Sequence, residues 1–209
     1  MKTTFKLLLI TLVFFSCKKE VPVPENCGFK KTHVVDINYN DTYKLPPVEF
    51  TVDYTDNLEI NLPKEGKKNY NFVGFVSKEN DKLIERIDIG SYKLTGITKD
   101  KIDESLSNLL ESVQGLFEFS YKLKDIVAEQ KTINGKKVYT FEAVGTEKFD
   151  ENENPEEFLI RTTLHSKEKL SPNGLMVMQV ASKNGPIQTH DDFATKGCTS
   201  YVYRTLRFE

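Results

Sequence analysis

The chain has 209 residues and a formal net charge of −2, with 29 basic and 31 acidic side chains interleaved along it. This mixture supplies no basic face for nucleic acid, and the length suits one hydrophobic core rather than two. Beyond Phe15 no apolar run approaches the length of a membrane-spanning helix.

The first element is an export signal. Lys2 and Lys6 form the charged front, Leu7 to Phe15 the apolar run, and small Ser16 precedes Cys17. The run is too short to cross a bilayer as a helix. The segment Leu12-Val13-Phe14-Phe15-Ser16-Cys17 resembles the lipobox of bacterial lipoproteins, with Phe14 where Leu is usual. That resemblance implies cleavage after residue 16, diacylglycerol on Cys17 and enough acyl chains for a durable anchor, since one chain holds only reversibly. An ordinary signal peptide with a coincidental cysteine is the alternative. Loss of Lys2 and Lys6 with the signal leaves 193 residues with a formal charge of −4.

Residues 17–27 read as a lipidated cysteine followed by a polar, extended tether, Val21-Pro22-Val23-Pro24-Glu25-Asn26, and residues 28–209 as a single domain. With Cys17 assigned to lipid, Cys27 and Cys198 remain. An even remainder in an exported chain points to a disulfide, against the alternative of two buried thiols. The pairing demands that both ends of the domain lie together, with Cα atoms closer than about 7 Å.

Five β-rich runs follow: His33 to Asn38, Val48 to Tyr54 with period two, Leu58 to Leu62 ending at Pro63, Asn69 to Ser77, and Leu83 to Leu94, interrupted by Gly90. From Thr98 the period changes. Ile102, Leu106, Leu109, Leu110 and Val113 form one apolar stripe, which predicts a helix capped by Thr98 or Asp100 and ending near Gly115. Leu123 to Ile133 and Lys137 to Val144 then form a hairpin around Asn134-Gly135, a dipeptide suited to a type I′ turn. After an acidic linker, Asp150 to Glu157, come strands Phe158 to His165 and Leu175 to Ala181. The final element is a helix opened by Thr189, with Asp192 completing a variant capping box and Cys198 pointing inward. The order predicts an α+β fold, a mainly antiparallel β-sheet flanked by helices.

Leu58-Glu59-Ile60-Asn61-Leu62-Pro63, the helix Thr98 to Val113, the hairpin Ile133 to Ala143 and the closing segment Phe193 to Phe208 together resemble a superfamily typified by PsbP, an extrinsic photosystem subunit. That superfamily also holds a Ran-binding nuclear import factor and bacterial lipoproteins. The resemblance covers most of residues 48–208 and implies an α/β/α sandwich that binds or scaffolds, with no shared catalytic residue to carry over. The front strand at His33 and the long region from Asn69 to Leu94 depart from the pattern.

Motifs for chemistry are sparse. Asp150, Asn152 and Asn154 match the first ligand positions of an EF-hand loop, but Pro155 replaces the glycine of the turn and Arg161 the bidentate glutamate. A solvated acidic loop is the better reading. His33, His165 and His190 lack zinc-type spacing, and His190-Asp191-Asp192 suits a helix N-terminus, so no metal and no cofactor is expected. No nucleophile elbow, phosphate loop or zinc-protease helix occurs, although paired carboxylates for hydrolysis are defined in space rather than in sequence. Tyr39, Tyr43, Tyr54, Tyr70 and Tyr92 either border a sheet or line a groove for a glycan or peptide.

These readings add up to a lipid-anchored envelope protein whose non-catalytic domain binds or scaffolds another envelope protein. In a Gram-negative cell, the resemblance to lipoproteins implies that Lys18, rather than Asp, after the lipidated cysteine directs the chain to the outer membrane, on either face of it. A lipoprotein that binds a small ligand or glycan is the first alternative, and a lipid-anchored hydrolase the second.

Overall fold

The computed structural model describes residues 20–208 apart from 66, 68–70, 96–100, 134–135, 151, 153 and 167–172. The expected export signal, Cys17, the Thr98 and Asp100 caps, the Asn134-Gly135 turn and Tyr70 therefore lie outside the described residues.

Among the described residues, ten strands and three helices follow in order: β1 (Lys30–Val35), α1 (Ile37–Tyr43), β2 (Phe50–Thr55), β3 (Glu59–Asn61), β4 (Asn71–Glu79), β5 (Lys82–Lys93), α2 (Ile102–Glu118), β6 (Tyr121–Ile133), β7 (Lys136–Glu147), β8 (Glu157–Ser166), β9 (Asn173–Ser182), α3 (Gly197–Thr205) and β10 (Arg207–Phe208). A 3₁₀ turn, His190–Ala194, precedes α3. The strands form a seven-stranded sheet, β3-β4-β5-β9-β8-β7-β6, and a three-stranded one, β1-β2-β10. Every pairing within both is antiparallel. The fold is thus α+β and mainly antiparallel, as expected.

Period-two alternation sorts the large sheet into two faces. On one, Phe141, Phe158, Ile160 and Leu164 pack against the stripe Ile102, Leu106, Leu110, Val113 and Phe117 of α2. On the other, Phe75, Ile87, Ile89, Leu175 and Val177 pack against Val35, Phe50 and Val52 of the small sheet and Val202 of α3. The small sheet and α2 therefore cover opposite faces. Burial of each Leu, Ile or Phe contributes about 1.5–3 kcal/mol, and these two layers carry most of it.

Four expectations need correction. The strand expected at His33 to Asn38 ends at Val35, because the Asp36 carboxylate accepts from the Tyr39 N–H (2.8 Å) and starts α1. Gly90 does not interrupt β5, since it is paired with Asn71 on one side and Met176 on the other. Nor does α2 end near Gly115. The helix continues to Glu118 because Phe117 extends its apolar stripe onto Phe141, the two rings stacked 6.0 Å apart.

The closing helix is two elements rather than one. Thr189 does open it, with the Asp192 carboxylate accepting from the Thr189 N–H at 3.1 Å. The backbone then breaks at Thr195 and restarts at Gly197, whose φ of +73° admits few residues but glycine. A Cβ at Gly197 would come within 2.4 Å of a Glu85 carboxylate oxygen.

Where α3 meets the small sheet, one hydroxyl replaces a missing strand. β10 pairs only with Thr51 and Phe50. Beyond it the Thr205 hydroxyl accepts from the Asp53 N–H (3.0 Å) and lies 2.9 Å from the Asp53 carbonyl oxygen, satisfying the β2 edge.

Candidate interaction surface

The two remaining cysteines meet. Cys27 and Cys198 form a disulfide with Cα atoms 5.4 Å apart, so the entrance of the domain is bolted to its last helix. The segment before Cys27 is not the free tether expected from its composition. Val23 packs against the core, the Cys27 N–H donates to the Pro24 carbonyl, and Glu20 pairs with Lys30 at 3.0 Å. Lys30 in turn touches Asp53 (3.1 Å), which Arg207 also holds (2.9 Å).

The acidic stretch behaves as a loop. Both the N–H and the side-chain amide of Asn152 donate to Asp150, an Asx-type arrangement within one turn. No group of three or more His, Cys, Asp or Glu side chains able to hold a metal occurs among the described residues. His190 places Nε2 3.0 Å from the Ala143 carbonyl oxygen, while Asp192 accepts from Gln188 and Thr189. His33 is flanked by the rings of Tyr39 and Phe75, and His165 by that of Tyr203.

The described tyrosines of that set are divided between the two faces of the large sheet. Tyr39, Tyr43 and Tyr54 lean on the core beneath the small sheet, whereas Tyr92 is buried on the opposite face, where burial pushes its phenol up to about 12. The bland reading of these residues, aromatics filling and bordering a sheet, is the one the fold uses.

Each buried carboxylate of the described residues is engaged. Asp53 holds Lys30 and Arg207, Glu85 caps α3, Asp88 takes Arg86 in a two-point contact, Glu142 holds Lys131, and Asp192 caps the 3₁₀ turn. Burial raises the Asp88 pKa and the Arg86 guanidinium lowers it, with burial the larger effect.

One structural group escaped sequence reasoning. Arg161 on β8 is 2 % exposed; its Nε and Nη2 donate to Gln179 Oε1 (3.1 and 2.8 Å) and its Nη1 to the His190 carbonyl (3.1 Å). The guanidinium lies 5.0 Å from the Phe193 ring centre and 5.1 Å from that of Tyr203. It fastens the 3₁₀ turn and α3 to the sheet.

The second feature missed is an exposed aromatic pair. Tyr121 pairs with Glu147, and beyond that register the Lys148 N–H donates to the Ser120 carbonyl at 2.9 Å. Next to this hydrogen bond in the chain are Phe119, 82 % exposed at the C-cap of α2, and Phe149, 87 % exposed, with Leu116, 60 % exposed, on the preceding turn of α2. The pair belongs to residues 30 apart in sequence. The Lys148–Ser120 hydrogen bond beyond the end of the strand register brings their two segments together.

Comparison with known proteins gives structural neighbours only. No protein-family model matches the chain, and no curated protein matches it. Among solved structures it is similar to the solution structure of CyanoP, the PsbP of the cyanobacterium Synechocystis sp. PCC 6803, with a TM-score of 0.46 and 14% identity over 90% of this chain and 99% of that one. It is also similar to LpqN of Mycobacterium tuberculosis, described as involved in cell envelope biogenesis, with a TM-score of 0.39 and 11% identity over 87% of this chain and 92% of that one.

Phe149 borders an open, mainly polar depression of about 1140 Å³, lined among others by Lys78, Lys82, Glu147, Glu157 and Lys183. Glu157 bridges Lys124 and Lys183, and these two ammonium groups hold its carboxyl down at about 2. The bridge ties edge strand β6 to the β8–β9 hairpin. That edge is itself guarded. β6 carries a register shift between Lys124 and Val127, with Asp125 at a φ of 53°, and exposed charges along its length.

Proposed function

We propose that this chain is a lipid-anchored protein of the bacterial cell envelope, held by lipid on Cys17, whose domain docks another envelope protein and carries no catalytic role. The signal, the lipobox-like segment and a disulfide suited to an oxidising compartment support the address. In a Gram-negative cell, Lys18 directly after Cys17 supports the outer membrane.

The observation that carries the docking role is the pair Phe119 and Phe149 with Leu116. Aromatic side chains this exposed gain nothing from folding, yet they sit on fixed backbone at the end of a sheet and a long helix. Rigid exposed aromatics of this kind form the anchors of protein interfaces. The polar depression that Phe149 borders supplies charged groups of both signs for a rim.

The test is photo-crosslinking in growing cells from a reactive amino acid placed at 119, at 149 or, as control, at exposed Asp41 on α1. The same discrete protein adduct is expected from 119 and 149 and not from 41, and it should vanish when the other aromatic is changed to Ser. Adducts with lipid alone, or with nothing, overturn the docking role.

A further inference from the structure

The leash between lipid and domain is short, and its landing point is known. Glu20 is already docked, through Lys30, at the start of β1. Between Cys17 and Glu20 lie only Lys18 and Lys19, and that span reaches at most about 11 Å when fully extended. Were the Glu20 contact to open, Val23 would still hold the chain, for a reach of about 20 Å. The disulfide at Cys27 prevents the segment from peeling further.

Phe29 stands beside that landing point with 81 % of its surface exposed. It is not on a loose loop. Its N–H donates to Asp56 Oδ1 (2.8 Å) and its carbonyl accepts from the Asp56 N–H (3.0 Å). Gly28 before it has a φ of +83°, and a Cβ there would meet the same Asp56 oxygen at 2.2 Å. Val34, 50 % exposed, lies five residues further along β1, and Ile37, 48 % exposed, opens α1. Lys31 is exposed beside Phe29, and a lysine reaches headgroup phosphates while its stem lies along apolar surface.

We propose that the β1 side of the three-stranded sheet rests on the phospholipid surface that holds the chain's own acyl anchor, with Phe29 entering the interface. This contact rests on the reading that Cys17 is lipidated. It fixes the orientation of the domain. The small sheet and α2 cover opposite faces of the large sheet, so α2 is held on the side away from the membrane.

The chain contains no Trp, so a single introduced Trp is its own reporter. Full-length protein carrying Phe29→Trp or Phe149→Trp is purified from membranes and reconstituted into phosphatidylethanolamine–phosphatidylglycerol vesicles with brominated acyl chains. The mass of the Cys17 peptide is measured on the same sample. The expected result is an acylated Cys17, with the Phe29→Trp emission shifted to shorter wavelength and mostly quenched, and the Phe149→Trp emission unchanged. An acylated chain whose Phe29→Trp stays unquenched, or whose two reporters are quenched alike, overturns the surface contact and leaves the anchor standing. A chain unacylated at Cys17 overturns both.

Discussion

Glu85 and Thr199 are joined by two hydrogen bonds across 114 residues: the Thr199 N–H and hydroxyl both donate to Glu85 Oε2, at 3.1 and 2.6 Å. The other oxygen accepts from the Cys198 N–H at 2.8 Å. A residue of β5 thus caps the first turn of α3, where Lys196 offers no side-chain cap of its own.

Replacing Glu85 by Ala leaves those buried N–H groups unpaired and is expected to lower stability by about 2–4 kcal/mol. Glu85→Gln keeps the shape but only part of the hydrogen bonding, for a loss of about 1–2 kcal/mol. Urea denaturation of the disulfide-intact protein reads both. Equal stability of all three forms would remove the cap from the account.

Gly115 is a position where the helix runs on in spite of its residue. A Cβ there meets no atom within 4 Å, and the backbone is helical. Gly115→Ala is expected to raise stability by about 0.5–1 kcal/mol, chiefly by restricting the unfolded chain. Thermal and urea midpoints should both rise, whereas a fall in either would mean that α2 does not continue through this residue.

What could be read in advance depended on whether a residue's environment is set by its neighbours in sequence. The stripe from Ile102 to Val113 and the alternation in β8 and β9 were legible because burial follows local period. The Thr189–Asp192 cap was legible for the same reason, its two members being three residues apart. α1 was not, because its buried residue is Asn40, which donates to the Val48 carbonyl at 3.0 Å, and no apolar stripe announces it. The break before α3 was hidden because its cause, Glu85, lies on a distant strand. Arg161 reads as a polar strand residue until the fold brings Gln179, Phe193 and Tyr203 around it. Phe119 and Phe149 read as ordinary aromatics, and their exposure shows only once α2 and β7 are in place.

His33 makes stability depend on pH. Burial between Tyr39 and Phe75 lowers its pKa from the usual 6.5. The folded state therefore favours the neutral ring, while the unfolded chain takes up a proton as pH falls through about 6.5. The stability associated with the neutral ring is complete above that pH and is lost progressively on acidification until the lowered folded-state pKa is passed. Denaturant midpoints between pH 7.5 and 5 are expected to fall for the natural chain and to fall less for His33→Phe. Parallel curves for the two would assign the loss to other groups.

The disulfide sets the largest single effect. Closing a loop between residues 27 and 198, whose sequence separation is 171, removes chain entropy from the unfolded state corresponding to about 5 kcal/mol. Strain and residual structure in the unfolded chain reduce such figures, so the double variant Cys27→Ala, Cys198→Ala is expected to lose about 2–5 kcal/mol. A second consequence separates the bond's position from its energy. With Cys27 released, the stretch from Glu20 to Asn26 is held by the packing of Val23, the Glu20–Lys30 pair and the Asn57 amide donating to the Asn26 carbonyl at 3.1 Å. Limited proteolysis under native conditions should then cut between Glu20 and Asn26 in the double variant well before it cuts the oxidised chain. Protection that is the same in both would mean that the segment docks without the bond, and that the leash from Cys17 is short whatever the redox state.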